Sequence, residues 1–237
     1  MEICGFQRVS LIDYPGKVAS IVFVAGCNMR CPFCHNSDLA LKNYSKLHVY
    51  KQETILRKLH DASRFLDGVE ITGGEPTLQA DLADFMSECK AMGLLVKLDT
   101  NGSNPGKLRE LLERKIVDYV AMDVKTAPDA GKYTKAAGVG SAAMFKNINE
   151  SIDLLLNSGI DYEFRTTVVP GLVSAEDLKS IAHRIKGAKA YYLQQYVAHN
   201  TLDPSYEKVL PYSDKVLQDA CNEIRQEGLV MSCGIRG

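Results

Sequence analysis

Three cysteines lie close together in this sequence and could hold a metal centre. They are Cys27, Cys31 and Cys34, in the segment Cys-Asn-Met-Arg-Cys-Pro-Phe-Cys. Three thiolates on one short loop can bind three corners of an iron–sulfur cube, whereas electron-transfer clusters commonly use four cysteines. No fourth cysteine follows nearby, so one iron would stay open, just as catalytic zinc sites keep an open position. The spacing therefore predicts a [4Fe–4S] cluster whose open iron binds a substrate.

Two other kinds of metal site have similar patterns. A structural zinc site needs four ligands, and His35 could be the fourth, although it adjoins Cys34 and is poorly spaced for that role. The stretch from Cys31 to His35 also fits the C-x-x-C-H signature of c-type haem attachment. That attachment generally needs export, and the first residues lack the basic and apolar regions of a signal peptide. Both alternatives stay open beside the preferred iron–sulfur interpretation.

Polar residues also follow other β-rich runs, each time at the carboxyl end. The segments are Gly73-Gly74-Glu75-Pro76, Asp99-Thr100-Asn101-Gly102 and Met122-Asp123-Val124-Lys125. Each alone could be a turn or a solvated ion pair. In a parallel βα barrel, however, active sites are built at the carboxyl ends of the strands, and exposed surface charge would not recur in this phase. Less clearly, Arg165 lies within a fifth run and Gln194-Gln195 ends a sixth.

The elements that position these segments alternate regularly along the chain. Six β-rich runs cover residues 19–25, 68–72, 94–99, 117–124, 162–169 and 190–195. Helical periodicity separates them: residues 79–92 carry apolar side chains at i, i+3, i+4 and i+7. Ser174 and Asp177 form a capping signature, and Ser213 begins a last helix. This alternation predicts parallel strands. We expect an α/β fold, a partial (βα)6 TIM-like barrel, with residues 1–237 as a single domain.

Composition excludes several classes of protein. The chain has 237 residues and a net charge of −1, without a dense Lys/Arg run, so we expect no nucleic-acid partner. Its longest apolar stretch, residues 18–26, is too short to span a bilayer. We therefore expect a cytoplasmic protein with no membrane partner. Seven cysteines, an odd number, indicate metal or redox chemistry rather than a disulfide framework.

The cysteine motif has a further feature, an aromatic residue, Phe33, before its last cysteine. In this it resembles the defining motif of radical S-adenosylmethionine enzymes. The resemblance implies that the amino and carboxylate groups of S-adenosylmethionine chelate the open iron. It also implies that reduction of the cluster breaks the bond between sulfur and the 5′-carbon, giving a 5′-deoxyadenosyl radical. The Gly73-Gly74-Glu75 segment is similar to the one that contacts the methionyl ammonium in this family.

Nearly the whole chain resembles the activating enzymes of glycyl radical proteins, and most of all the activators of anaerobic ribonucleoside-triphosphate reductase. The motifs that carry this resemblance are Gly5-Phe6-Gln7, residues 10–17, Cys34-His35-Asn36, the GGEP, DTNG and DVK segments, and Ile235-Arg236-Gly237. The family takes a hydrogen atom from a backbone glycine of a large partner enzyme. The implied function is therefore that of an anaerobic oxidoreductase that activates a glycyl radical enzyme.

The resemblance also assigns residues to the cofactors. From the resemblance, and for Asn101 and Arg165 from their positions on the strands, the residues expected to contact S-adenosylmethionine are Phe33, Gly73, Gly74, Glu75, Asp99, Asn101, Asp123, Lys125, Arg165 and Gln195. In the related pyruvate formate-lyase activator, segments matching Asp99, Thr100 and Asp123 help to bind a monovalent cation. A histidine that follows the last strand of that relative matches either Gln195 or His199 here.

Two departures from the family pattern limit these assignments. Many activators have Asp-Gly-Pro-Gly before the cluster, where this chain has Tyr14 after Asp13. Many also carry an inserted domain with eight extra cysteines, but residues 36–67 contain none, so we expect flavodoxin or ferredoxin to donate the electron. Two alternatives remain: a radical enzyme acting on another glycyl radical enzyme, a peptide or a small molecule, and a non-catalytic metal-binding or electron-transfer protein. Cys89 and Cys221 fall on apolar helix faces and are expected in the core.

Overall fold

The computed structural model describes residues 1–237, and its eight strands form one sheet in chain order. The strands are β1 (Ile3–Ser10), β2 (Ala19–Val24), β3 (Gly68–Gly73), β4 (Leu95–Thr100), β5 (Tyr119–Asp123), β6 (Asp161–Val168), β7 (Tyr191–Gln195) and β8 (Cys233–Arg236). The helices are α1 (Ser37–Ala40), α2 (Gln52–Ala62), α3 (Leu82–Ala91), α4 (Pro105–Glu113), α5 (Ala130–Ala137), α6 (Ala142–Leu156), α7 (Ala175–Arg184) and α8 (Asp214–Gln226). None of them combines the length and the apolar character that crossing a bilayer requires.

The strand directions confirm the predicted parallel α/β arrangement. β2, β3 and β4 pair in parallel, as do β6, β7 and β8, whereas β1 runs antiparallel to β2. The six predicted runs correspond to β2–β7. Sequence analysis missed β1, in which Gly5, Gln7 and Arg8 interrupt the apolar pattern, and β8, which is only four residues long. Both lie at the ends of the strand order, where strand propensity is a weak guide.

The chain packs as two compact units. Unit 1 comprises Met1–Asn28, Asp38–Thr100 and Asn104–Val120. Unit 2 comprises Met29–Ser37, Asn101–Ser103 and Ala121–Gly237. The expectation of a single domain over residues 1–237 stays a prediction.

In unit 1, α3 confirms the predicted apolar face. The helix begins at Leu82, later than expected, because Pro76–Leu78 form a 3-10 turn before it. Its buried residues include Leu82, Phe85, Met86 and Cys89. Burial raises the pKa of Cys89 to about 12, so this thiol is neutral near pH 7. Its side chain is fully buried on the apolar face of α3, so Cys89 is a core residue, as predicted.

In unit 2, α7 and α8 also begin and pack as predicted. The Ser174 hydroxyl accepts a hydrogen bond from the Asp177 N–H (3.2 Å), and the Asp177 carboxylate accepts one from the Ser174 N–H (3.0 Å), which together form a capping box. On α8, Cys221 is buried, and its Sγ lies 2.7 Å from that of Cys233 on β8. Both thiols are free.

Candidate iron–sulfur and S-adenosylmethionine site

Unit 1 holds the first motif cysteine at the carboxyl end of β2. The backbone N–H of Gly26 donates to the carbonyl of Leu39 (2.8 Å), and that of Cys27 donates to the carbonyl of Ala40 (3.3 Å). These bonds fix the chain that leaves β2 against α1. The backbone of Cys27 is thereby positioned by neighbouring main-chain groups.

The glycine segment after β3 is fixed against the same stretch of chain. The Glu75 N–H donates to the carbonyl of Gly26 (2.8 Å), and a Cβ atom added to Gly74 would overlap that carbonyl. Gly73 has a φ of +121° and lies against the backbone of Val24. Only glycine tolerates this backbone conformation and this approach. The Gly73-Gly74 pair is therefore required for the local packing of unit 1.

The carboxylate of Glu75 joins the ends of β3 and β4. Its Oε1 accepts hydrogen bonds from the N–H of Thr77 (3.1 Å), the hydroxyl of Thr77 (2.5 Å) and the hydroxyl of Thr100 (2.8 Å). Glu75 itself is almost fully buried. Its geometry is thus set by the protein, and its contact with S-adenosylmethionine stays a prediction.

β3 and β4 also carry a buried charged cluster that the sequence pattern did not predict, which we name the Lys97 cluster (Glu70, Thr72, Lys97 and Asp99). The Lys97 Nζ lies 2.8 Å from Asp99 Oδ1 and 3.0 Å from Glu70 Oε2, and the Thr72 hydroxyl donates to Asp99 Oδ2 (3.2 Å). Burial and then the charge of Asp99 raise the pKa of Glu70 to about 8, although Lys97 partly offsets them. Burial therefore favours the neutral form of Glu70.

Unit 2 holds the other two motif cysteines in one turn, in which the Cys34 N–H donates to the Cys31 carbonyl (3.0 Å). Burial raises the pKa of the Cys34 thiol, and the nearby ammonium of Lys125 opposes that rise. Phe33, between the cysteines, is buried. The His35 Nε2 lies 2.8 Å from the carbonyl oxygen of Val197 and so donates to it.

A second charged group in unit 2 contains three residues that the sequence predicted. Asp123 Oδ1 accepts a hydrogen bond from Arg165 Nε (2.9 Å), and Asp123 Oδ2 accepts one from Lys125 Nζ (2.9 Å). Burial alone would lower the pKa of Lys125, but Asp123 and then Cys31 raise it above its ordinary value. Arg165 therefore pairs with Asp123, Lys125 stays protonated near pH 7, and the functional role of this group stays a prediction.

Two further predicted residues, Asn101 and Gln195, make hydrogen bonds with the backbone of the protein. Asn101 is buried, and its Oδ1 accepts from the Ser103 N–H (2.9 Å). Gln195 pairs with Val168 on β6, so side-chain alternation places it on the face opposite Arg165, whereas Gln194 shares the face of Arg165. The Gln195 Nε2 donates to the carbonyl of Tyr212 (2.8 Å), while its buried Oε1 has no partner. The choice between Gln195 and His199, which is exposed, is not decided by these contacts.

The sequence pattern also did not predict the ion pair between Glu163 and Arg236. The Arg236 guanidinium on β8 binds both carboxylate oxygens of the buried Glu163 on β6 (2.5 and 2.8 Å). It also lies 3.6 Å from the ring centre of Tyr192. Glu163 lies two residues before Arg165 in the same run, so the signal that singled out Arg165 also applied to Glu163.

The donor set fits an iron–sulfur cluster. None of Cys27, Cys31 and Cys34 is in a disulfide, and thiolates are the protein ligands that such clusters use. The structure picks out no group of three or more His, Cys, Asp or Glu side chains as a metal site. The assignment of these cysteines as ligands therefore depends on the sequence motif and on the family.

Comparison with known proteins establishes that family. The model of the radical SAM superfamily matches residues 21–185. A Methanocaldococcus jannaschii protein named as a glycyl-radical enzyme activating enzyme is 34% identical over 229 residues, which cover 96% of this chain and 90% of the relative. The chain is a radical SAM enzyme of the glycyl-radical activating family. The pyruvate formate-lyase-activating enzyme of Clostridium pasteurianum is 30% identical over 215 residues, covering 88% of this radical SAM enzyme and 86% of the relative.

Solved structures show the same fold at lower identity. Streptococcus suis SuiB bound to S-adenosylmethionine has a TM-score of 0.68 and 16% identity, and the match covers 92% of this radical SAM enzyme and 52% of SuiB. The enzyme anSMEcpe with bound AdoMet has a TM-score of 0.57 and 16% identity, covering 89% of this enzyme and 61% of that one. This radical SAM enzyme thus spans about half the length of SuiB. These likenesses confirm the predicted fold class, a parallel α/β fold of the partial-barrel type.

The family also confirms the predicted cofactors. Radical SAM enzymes use a [4Fe–4S] cluster and S-adenosylmethionine. The contacts that individual residues of this radical SAM enzyme make with those cofactors stay predictions.

Proposed function

We propose that this enzyme cleaves S-adenosylmethionine reductively with a [4Fe–4S] cluster bound by Cys27, Cys31 and Cys34. The resulting 5′-deoxyadenosyl radical would then take a hydrogen atom from a backbone glycine of the proposed partner, anaerobic ribonucleoside-triphosphate reductase. The observation that carries the proposal is the similarity to activating enzymes over 96% of the chain. The reductase is the proposed partner because the motifs before the cluster and at residues 235–237 resemble those of its activators.

The chain's own residues would bind and orient the cofactor. Gly73 and Gly74 let the backbone after β3 approach the methionyl ammonium, and Glu75 holds this segment through Thr77 and Thr100. Lys125, held by Asp123, presents a fixed positive charge beside the turn of Cys31 and Cys34. The further proposed contacts are Phe33, Asp99, Asn101, Asp123, Arg165 and Gln195.

An external protein would supply the electron. The stretch between the last motif cysteine and β3 contains α1 and α2 and no further cysteine. The chain therefore has one cluster motif and lacks the second, electron-relaying clusters of larger activators. Flavodoxin or ferredoxin is the proposed donor, with the cytoplasm as the proposed location.

The proposal predicts a glycyl radical on the partner. After anaerobic reconstitution with iron and sulfide, we expect the enzyme, S-adenosylmethionine and reduced flavodoxin to produce a glycyl radical signal in anaerobic ribonucleotide reductase by electron paramagnetic resonance. One 5′-deoxyadenosine should form for each radical, and deuterium placed on the partner's glycine should appear in it. Pyruvate formate-lyase serves as the alternative partner in a parallel reaction.

Three results would contradict parts of this proposal. A radical on pyruvate formate-lyase alone would refute the reductase as partner. Activation with dithionite but with neither flavodoxin nor ferredoxin would refute the proposed donors. A protein that holds zinc and forms no 5′-deoxyadenosine would refute the radical chemistry in this chain.

A further inference from the structure

The Lys97 cluster places a cation inside unit 1 that the proposed chemistry does not yet use. Lys97 lies in the middle of β4, and its side chain is only 2% exposed. Burying an ammonium group is costly unless it is paired, and here two carboxyl groups contact it, at 2.8 Å from Asp99 and 3.0 Å from Glu70. Glu70 and Lys97 face each other in the β3–β4 register, so both elements are needed to build the cluster.

The Lys97 cluster engages both oxygens of one carboxylate that a monovalent cation would use, that of Asp99. Asp99 Oδ1 already contacts the Lys97 ammonium, and Asp99 Oδ2 accepts a hydrogen bond from Thr72. The Thr100 hydroxyl donates to Glu75. A metal ion at Asp99 would therefore have to share a carboxylate with a fixed ammonium at close range, which electrostatic repulsion opposes.

The same holds for the residue of unit 2 that the family resemblance assigns to that cation. Both carboxylate oxygens of Asp123 accept hydrogen bonds from cationic side chains, Arg165 at one oxygen and Lys125 at the other (2.9 Å each). Alkali ions bind through several oxygen ligands, and here the oxygens of both aspartates are engaged by the protein's own donors. The carboxylates of Asp99 in unit 1 and of Asp123 in unit 2, each engaged by cationic side chains, do not fit a monovalent metal ion.

We infer that Lys97 is the built-in counter-ion of Asp99, and that this enzyme binds and cleaves S-adenosylmethionine without a monovalent metal ion. Lys97 is then a positioning residue: it neutralises and orients Asp99 from within the protein. The inference rests on the proposed placement of Asp99 in the S-adenosylmethionine site.

Replacing Lys97 with methionine tests the role of Lys97 as counter-ion directly, because methionine has a side chain of similar length and no charge. S-adenosylmethionine affinity is measured by calorimetry in choline chloride and in potassium or sodium chloride, at equal ionic strength. We expect the wild-type affinity to change less than about twofold between these salts. In Lys97→Met, affinity in choline should fall at least about tenfold, and potassium or sodium should restore part of it.

A second measurement, thermal unfolding, needs neither the iron–sulfur cluster nor the partner enzyme. An ion that binds only the folded protein raises its melting temperature. For protein without its iron–sulfur cluster, potassium or sodium, compared with choline, should leave the melting temperature of the wild type unchanged. The same ions should raise the melting temperature of Lys97→Met. Lys90→Met is the matched control, since Lys90 contacts Asp118 at 2.7 Å in an ion pair outside the cluster. It should behave as the wild type in every salt.

Other variants cover the case in which Lys97→Met does not fold. Lys97→Arg keeps a cation and should keep independence from alkali ions. The double variant Glu70→Leu, Lys97→Met removes the Glu70 carboxyl together with the ammonium, so that Asp99 is left to bind an ion, and should acquire the alkali-ion response. Specific stabilisation of the wild type by potassium or sodium would overturn the inference, as would unchanged affinity of Lys97→Met in choline. Cation-independent cleavage without a glycyl radical on the reductase would refute only the proposed partner.

Discussion

S-adenosylmethionine cleavage should fall to background when any one of Cys27, Cys31 and Cys34 is replaced by alanine. Each cysteine is a proposed direct ligand of the cluster, and three ligands leave no spare. The loss should exceed the roughly 10- to 100-fold that follows from removing an outer-shell partner of a metal site. The measurements are iron content after reconstitution, and 5′-deoxyadenosine and methionine formed with dithionite as reductant.

Cys89→Ala is the matched control for these variants. It removes a thiol of the same type from α3, where the side chain is fully buried in the core. Iron content and cleavage should stay at the wild-type level, and stability should fall modestly because a small cavity forms. Cleavage retained by Cys31→Ala after complete loss of iron would refute the mechanism, and loss of the cluster in Cys89→Ala would show that Cys89 is not merely a core residue.

Gly74→Ala should cause the second large effect. A Cβ atom at this position would overlap the main-chain carbonyl of Gly26, and a backbone group cannot move aside as a flexible side chain can. Overpacking of this kind typically costs about 1–3 kcal/mol, and the segment next to Cys27 must shift to relieve it. We expect S-adenosylmethionine affinity to fall at least about tenfold, together with a lower free energy of unfolding in a denaturant titration.

Gly106→Ala separates this clash from the general effect of adding a methyl group. Gly106 lies in α4, and the nearest atom to its added Cβ is Asn104 Oδ1 at 3.8 Å. Alanine is favoured over glycine in a helix by roughly 0.5–1 kcal/mol, so this variant should be at least as stable as the wild type and bind the cofactor normally. Equal affinity and stability in Gly74→Ala and the wild type would show that the close contact between the segments at Gly26 and Gly74 is not required.

The fold could be predicted from the sequence where the pattern is local. The alternation of β-rich and helical runs located β2–β7, and the capping residues Ser174 and Asp177 located the start of α7. The three cysteines and the polar strand ends stood out because their residue types are unusual in those positions. Such patterns involve residues that are close in sequence, so a single sequence is enough to recognise them.

The site could not be predicted where it depends on pairing between strands. Glu70 and Lys97 are neighbours only through the β3–β4 register, and Glu163 and Arg236 are 73 residues apart. Taken singly, each is a charged residue in an apolar run, which also suits an exposed edge. Gln194 and Gln195 adjoin in sequence but face opposite sides of β7, and only the register with β6 distinguishes them.

The close approach of Cys221 to Cys233 has a consequence for handling the protein in air. Because their sulfurs are 2.7 Å apart, little movement separates them from the bonded distance of a disulfide, roughly 2.05 Å. Oxygen or peroxide can then take two electrons from this pair, with release of two protons, to form the disulfide, while it also damages the iron–sulfur cluster. Aerated samples would carry two independent lesions, of which iron and sulfide repair only one. Thiol titration of aerated protein should therefore recover the Cys221 and Cys233 thiols only after a dithiol reductant is applied, and in a Cys221→Ser variant Cys233 should not form this disulfide.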